Sequence, residues 1–270
     1  MRAKTFTEKV RYLGRIRALL RGRYGELPRP QAPNPVEHAI RGILSEEATT
    51  AQVDEAMERL RRHFVDWNDL RVSRPREIRE CLGKEFPRIG PKARAIPRLL
   101  DQVFKRYNSM IWDFLPALGK QEGRTYFESL EDVRPFVAAM IARDFLAAHA
   151  FPVDRDIARV LGRLGILDPE TQSERQMQAF LERAVKQPVG PELHALLKRL
   201  GEDLCILPVP LCPKCPLRNA CPSAVIPAKK AKRGAAKGRP KKARTGAARK
   251  RGGARPKADR RASRPPPPRA

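Results

Sequence analysis

Along most of the chain, apolar residues recur at intervals of three and four, the spacing that places them on one face of an α-helix. Leu13, Ile16, Leu19 and Leu20 define such a face over 11–20. Asn34-Pro35 is a start signal, a cap followed by a first-turn proline, and it opens a helix over 36–44. From Thr50 onward, Val53, Met57, Leu60 and Phe64 trace another single face. The same reasoning predicts helices over 75–82, 91–107, 135–148, 154–164, 173–185 and 191–204. Strand-like alternation is essentially absent, so the expected fold class is all-α.

The pattern stops at Pro227. Beyond it the chain is Ala, Lys, Arg, Gly and Pro, closing on four prolines at 265–268. A segment without aromatics and almost without large aliphatics buries too little surface to offset its ordering entropy. Residues 228–270 are therefore expected to be a disordered basic tail, similar in composition to those of linker-histone-like bacterial proteins. Charge sharpens this. The 270-residue chain is 41% hydrophobic and 32% charged, with a net charge of +26. Eighteen of its Lys and Arg and one Asp lie in 229–270, which gives that part +17 and leaves +9 for the rest. Both parts being basic points to a polyanion, and nucleic acid is the commonest one; the blander reading is a solvated charged surface. Lys229, Lys230, Lys232 and Arg233 are the first candidate DNA contacts of the tail. No run approaches the ~20 apolar residues of a membrane span, and the N-terminus lacks the apolar stretch of a signal peptide. A cytoplasmic, nucleoid-associated protein is expected.

Four of the five cysteines crowd into 17 residues as Cys205-x6-Cys212-x2-Cys215-x5-Cys221, with prolines at 208, 210, 213 and 216 stiffening the turns. In a reducing compartment such a group points to metal rather than disulfides. Four thiolates in one short loop suit either zinc or a cubane cluster. One close pair flanked by single cysteines leans toward the cluster, since zinc ribbons usually carry two close pairs. Cys81 stands apart and reads as a half-buried core residue. The four histidines, at 38, 63, 149 and 194, fit neither a metal motif nor a triad.

The cysteine spacing resembles that of the endonuclease III family of helix-hairpin-helix DNA glycosylases, and three further stretches follow in the right order. The segment from Asn34 through Leu44-Ser45-Glu46-Glu47-Ala48-Thr49 is similar to the family's early helix and its Leu-Ser-x-Gln-Ala-Thr ending. Ile89-Gly90 with Lys92-Ala93 resembles its middle region. Val153-Asp154-Arg155-Asp156-Ile157-Ala158-Arg159-Val160 resembles the stretch that bears its catalytic aspartate. The resemblance covers roughly residues 5–225. It implies a two-lobed helical domain over 1–204, one lobe from the middle of the chain and one from both ends, with an iron–sulfur loop at 205–221. It also implies a 4Fe-4S cluster on the four cysteines, and double-stranded DNA bound across the cleft by a monomer.

Departures from the family pattern fall where chemistry is expected. The family hairpin reads Leu-Pro-Gly-Val-Gly-Arg-Lys-Thr-Ala, and its glycines let backbone N–H groups approach a phosphate. Here the run is Leu130-Glu131-Asp132-Val133-Arg134-Pro135-Phe136-Val137-Ala138. Both glycines are replaced, Arg134 is the remaining candidate phosphate contact, and Asp132 is placed to cap the following helix. The lysine that forms a Schiff base in bifunctional members falls at Phe136, which cannot act as a nucleophile; Lys120, in the preceding loop, is the nearby candidate substitute. Glu47 stands where the family has the glutamine that fills the gap left by a flipped base.

Asp154 is retained, and it suits two roles: stabilising an oxocarbenium-like sugar in a monofunctional glycosylase, or capping the helix it opens. Three functional readings follow: a monofunctional DNA glycosylase using Asp154 without lyase activity, a non-catalytic DNA-binding or damage-recognition protein with a structural cluster, or an architectural nucleoid protein, which leaves the cysteines unexplained. In the second reading the basic tail gives affinity, and the third needs only the tail. Deleting 228–270 is expected to weaken duplex binding and flatten its dependence on salt; abolition of all binding in a filter or polarisation titration would mean that the helical domain contacts no DNA.

Overall fold

Capping side chains start most of the helices, and they explain where the periodic pattern becomes structure. The computed structural model describes residues 5–27 and 34–225. The tail, with Lys229, Lys230, Lys232 and Arg233, lies outside the described residues. In chain order the helices are α1 (Phe6–Tyr24), α2 (Pro35–Leu44), α3 (Thr50–His63), α4 (Trp67–Val72), α5 (Pro75–Leu82), α6 (Ile89–Tyr107), α7 (Lys120–Ser129), α8 (Pro135–Phe145), α9 (Arg155–Arg163), α10 (Glu174–Ala184) and α11 (Gly190–Asp203). Short 3-10 turns occupy Leu115–Ala117 and Cys212–Lys214, and there is no strand among the described residues. The all-α expectation holds.

Helix boundaries follow the caps more than the apolar pattern. Thr5 and Glu8 form a reciprocal capping box that starts α1 five residues before its first strongly periodic turn. Thr49 with Gln52, and Ser173 with Gln176, do the same for α3 and α10. Asn34 accepts from the amides of Val36 and Glu37, with Pro35 in the first turn, as the sequence implied. Helix α6 begins at Ile89, two residues before the expected start, because a proline in the first turn sacrifices no hydrogen bond. Helix α8 stops at Phe145 instead of 148: Ala147 turns left-handed at φ 47° and the Ala148 N–H folds back onto Ala142 O at 3.0 Å. Helices α4 and α7 are not among those predicted; α4 has a single buried residue, Leu70, and α7 buries Gly123, Tyr126 and Phe127.

Two separate apolar cores result. The first runs from Val36 to Ala150 and centres on α2, where Ile40 and Leu44 are fully buried. Gly42 allows α2 and α8 to approach closely, since a Cβ there would lie 3.3 Å from Val137 Cγ1. Half-buried Cys81 packs against this core. The second core joins α1 to buried residues between Phe151 and Leu217, with Ile16, Leu161, Leu181 and Leu196 at its heart. Each fully buried leucine or isoleucine contributes about 1.5–3 kcal/mol against solvent exposure. The chain crosses from one core to the other at Ala150–Asp154, which is where the candidate site lies.

Candidate functional site

Asp154 ends a buried stretch, Phe151-Pro152-Val153, and is itself 5% exposed. One carboxylate oxygen accepts the Ile157 N–H at 2.8 Å, so Asp154 is the N-cap of α9. The other accepts from Lys198 Nζ at 2.6 Å. Lys198 projects from α11 and also reaches Asp156 at 2.8 Å and Glu202 at 3.7 Å. Gly201 permits this approach, for a Cβ there would lie 3.2 Å from Asp156 Cβ. Burial opposes the charge on Lys198, but Asp154 and Asp156 outweigh it and hold the ammonium protonated far above its usual range. Both oxygens of Asp154 are thus engaged by the protein.

The hairpin between α7 and α8 departs from its expected chemistry. Asp132 does not cap α8: it adopts φ 60° and its carboxylate pairs with Arg98 of α6 at 2.6 Å. The N-cap position of α8 is Arg134, and no side chain within the hairpin caps the helix. Instead Glu174, the first residue of α10, accepts the Phe136 N–H and bonds Arg134 Nη2 at 2.7 Å. Phe136 is buried in the first core. Lys120 sits exposed in the first turn of α7 and is not among the residues lining the neighbouring cavity.

That cavity, about 560 Å³, is lined by Gly42, Glu46, Lys92, Arg134, Phe136 and Asp154, among others, with Arg88 and Arg155 at its rim. Many of its charges are paired. Glu46 contacts Arg134, Arg155 at 3.6 Å and Arg88 at 3.9 Å. Glu47, left-handed at φ 56°, pairs with Arg155 and lies 3.7 Å from Arg88. Lys92 is 1% exposed, and its amine donates to Leu44 O at 2.8 Å and to Glu46 O. Burial brings its pKa down to about 8, but the amine is committed to carbonyls at the end of α2.

The four clustered cysteines occupy successive turns after α11, and none forms a disulfide. Cys212 is buried at the start of its 3-10 turn, while Cys205, Cys215 and Cys221 are half-buried against the second core. Burial pushes the Cys215 and Cys221 thiols up, and their neighbouring cysteines act in the same direction. Two arginines of α9 brace the loop. Arg159 donates to Cys205 O at 3.0 Å, and Arg163 donates to Cys205 O at 3.2 Å and to Cys205 Sγ at 3.3 Å. Among the described residues, no group of three or more Cys, His, Asp or Glu has the arrangement of a metal-ion site. In donor chemistry, four free thiols in one loop are the number and type of ligand that a cluster requires.

Lys198, Glu46, Arg88, Arg155 and Glu174 escaped sequence reasoning. Only Glu46 and Arg155 lie inside stretches that carried the family resemblance, and nothing local marks the remaining three.

No family model matches the chain. It is 28% identical over 101 residues to an endonuclease III of Sulfolobus acidocaldarius, spanning 37% of this chain and 45% of that protein. Over 173 residues it is 26% identical to DEMETER-like protein 3 of Arabidopsis thaliana, 58% of this chain but 16% of the relative. The chain thus spans less than half the length of either relative. Its structure superposes on endonuclease III trapped as a covalent intermediate with DNA, with a TM-score of 0.64 at 22% identity, covering 82% of this chain and 97% of the other. The described helices share the fold of solved helix-hairpin-helix DNA glycosylases, an endonuclease III and a thermostable thymine-DNA glycosylase among them.

The double engagement of Asp154 has a measurable signature. Asparagine keeps the cap but loses the ion pair, whereas alanine loses both. Urea denaturation is expected to place Asp154→Ala about 2–4 kcal/mol below wild type and Asp154→Asn between the two. Equal costs would mean that the cap contributes nothing.

Proposed function

We propose that this chain binds double-stranded DNA and acts in base-excision repair as an endonuclease III-like protein without AP-lyase chemistry, hydrolysing the glycosidic bond of an extruded nucleotide with Asp154. The observation that supports this best is the cavity: its volume of about 560 Å³ is ample for a nucleobase, and Asp154 and Phe136 share its wall. A base must leave the duplex stack to be attacked. As it departs with the bonding electron pair, positive charge develops on C1′, where the Asp154 carboxylate stabilises it; water then adds at C1′ and releases a proton. Phe136 offers an apolar face to the extruded base. The two described amines nearest Asp154 are both engaged: Lys92 is bonded to two carbonyls, and Lys198 is held protonated between carboxylates.

One observation favours the alternative of a non-catalytic DNA-binding or damage-recognition protein. The Lys198 ammonium on Asp154 offsets the negative charge that catalysis would use. A panel of lesion-containing duplexes compares the two readings: base release by wild type and its loss in Asp154→Asn are expected, and no release from any lesion would leave the binder. Borohydride added during the reaction is expected to trap no covalent adduct. A trapped adduct would overturn the lyase-free assignment.

The same reading assigns a 4Fe-4S cluster to Cys205, Cys212, Cys215 and Cys221, supported by the cysteine spacing and by the donor set. When bound, the cluster would supply a cross-link that fixes the loop to the second core. Anaerobically purified full-length protein is expected to contain about four iron atoms per chain, with a broad charge-transfer absorbance. Stoichiometric zinc in place of iron would refute the assignment.

A further inference from the structure

Helix N-termini attract anions because their first amides lack intrahelical partners. At the start of α8 those amides are already occupied. Pro135 has none to offer, Phe136 N–H donates to Glu174, and the Val137 and Ala138 amides fold back onto Arg134 O at 2.9 and 3.3 Å. Beside them, Arg134 presents its guanidinium as a fork: Nε and Nη2 meet one oxygen of Glu174 at 3.2 and 2.7 Å, and Nη1 meets Glu46. A backbone amide and a guanidinium edge converging on one anion make the donor set that a phosphate oxygen cluster would use. Here the anion is the protein's own, carried by a residue 38 positions further along and only 14% exposed.

Glu174 does not need this position to start its own helix, because Ser173 and Gln176 already cap α10. Nor is it a comfortable place for a carboxylate. Burial pushes the Glu174 carboxyl above its usual range, although Arg134 and the Phe136 amide pull it back, and Glu46 adds to the push. The rim repeats the pattern, with Arg88 and Arg155 facing Glu46 and Glu47.

We propose that Glu174 is an internal phosphate mimic: it holds the anion site formed by Arg134 and the start of α8 closed, and a DNA backbone phosphate must displace it to engage there. This rests on the DNA-binding reading above. Displacement exchanges one carboxylate for one phosphate, so the hairpin contributes little net charge neutralisation in wild type and a full contact once the carboxylate is gone.

Glu174→Gln is the direct test, because glutamine keeps the side-chain volume and an acceptor for the Phe136 amide while removing the charge. Full-length wild type, Glu174→Gln, Arg134→Ala and the double variant are titrated with a fluorescent duplex across a salt series. Glu174→Gln is expected to bind roughly threefold to tenfold tighter, with a salt slope steeper by about 0.9, the value of one further phosphate contact. The gain is expected to vanish in the double variant, which should bind like Arg134→Ala. Unchanged affinity and slope in Glu174→Gln, or a gain that survives loss of Arg134, would overturn the proposal. If Glu174→Gln fails to fold by circular dichroism, Glu174→Asp serves: one methylene shorter, it withdraws from the Phe136 amide and is expected to bind tighter than wild type, and no tightening would overturn the idea. Wild type that binds no duplex at low salt would instead remove the DNA reading itself.

Discussion

A half-buried ammonium among three carboxylates ties α11 to the start of α9. Lys198 is charged because Asp154 and Asp156 surround it, and Lys198 in turn holds the Asp156 carboxyl below its usual range against the pull of burial. Removing either side would strand the other, which is why buried pairs of this kind resist piecemeal change. From this junction α9 takes its direction, and Asp154 faces the cavity at the point where the chain passes from one apolar core to the other. Glu202 extends the link, since it also accepts from the Thr50 amide and hydroxyl at 3.1 and 3.0 Å, tying α3 to α11.

Around the cavity the governing theme is charge compensation. A strongly basic chain would be expected to present a positive mouth to a polyanion. The arginines at 88, 134 and 155 instead face glutamates at 46, 47 and 174, so much of the positive charge there is offset within the protein. Partly buried pairs are also screened less by salt than exposed ones, so this compensation persists under conditions that weaken surface attraction.

Much of the helical framework was legible in the sequence because its determinants are local. Apolar periodicity, the Asn34-Pro35 start and the Asp154 cap each act within a turn or two, and the structure keeps them. What local reasoning could not supply was the pairing of residues far apart in the chain. Glu174 meets Arg134 across 40 positions and Lys198 meets Asp154 across 44, distances over which no spacing rule operates. The hairpin shows the boundary well. Loss of its glycines was plain, yet Asp132 turned away to Arg98 and its expected role fell to a glutamate from another helix.

The nine residues of α9 carry Asp154 at one end and, through Arg159 and Arg163, the cysteine loop at the other. At 1.5 Å per residue that is a rod of about 13 Å, too short to curve appreciably. The posture of the loop and the aim of the aspartate are therefore a single mechanical variable: a shift imposed at the sulfurs reaches the cavity wall as a tilt, with no intervening hinge to absorb it.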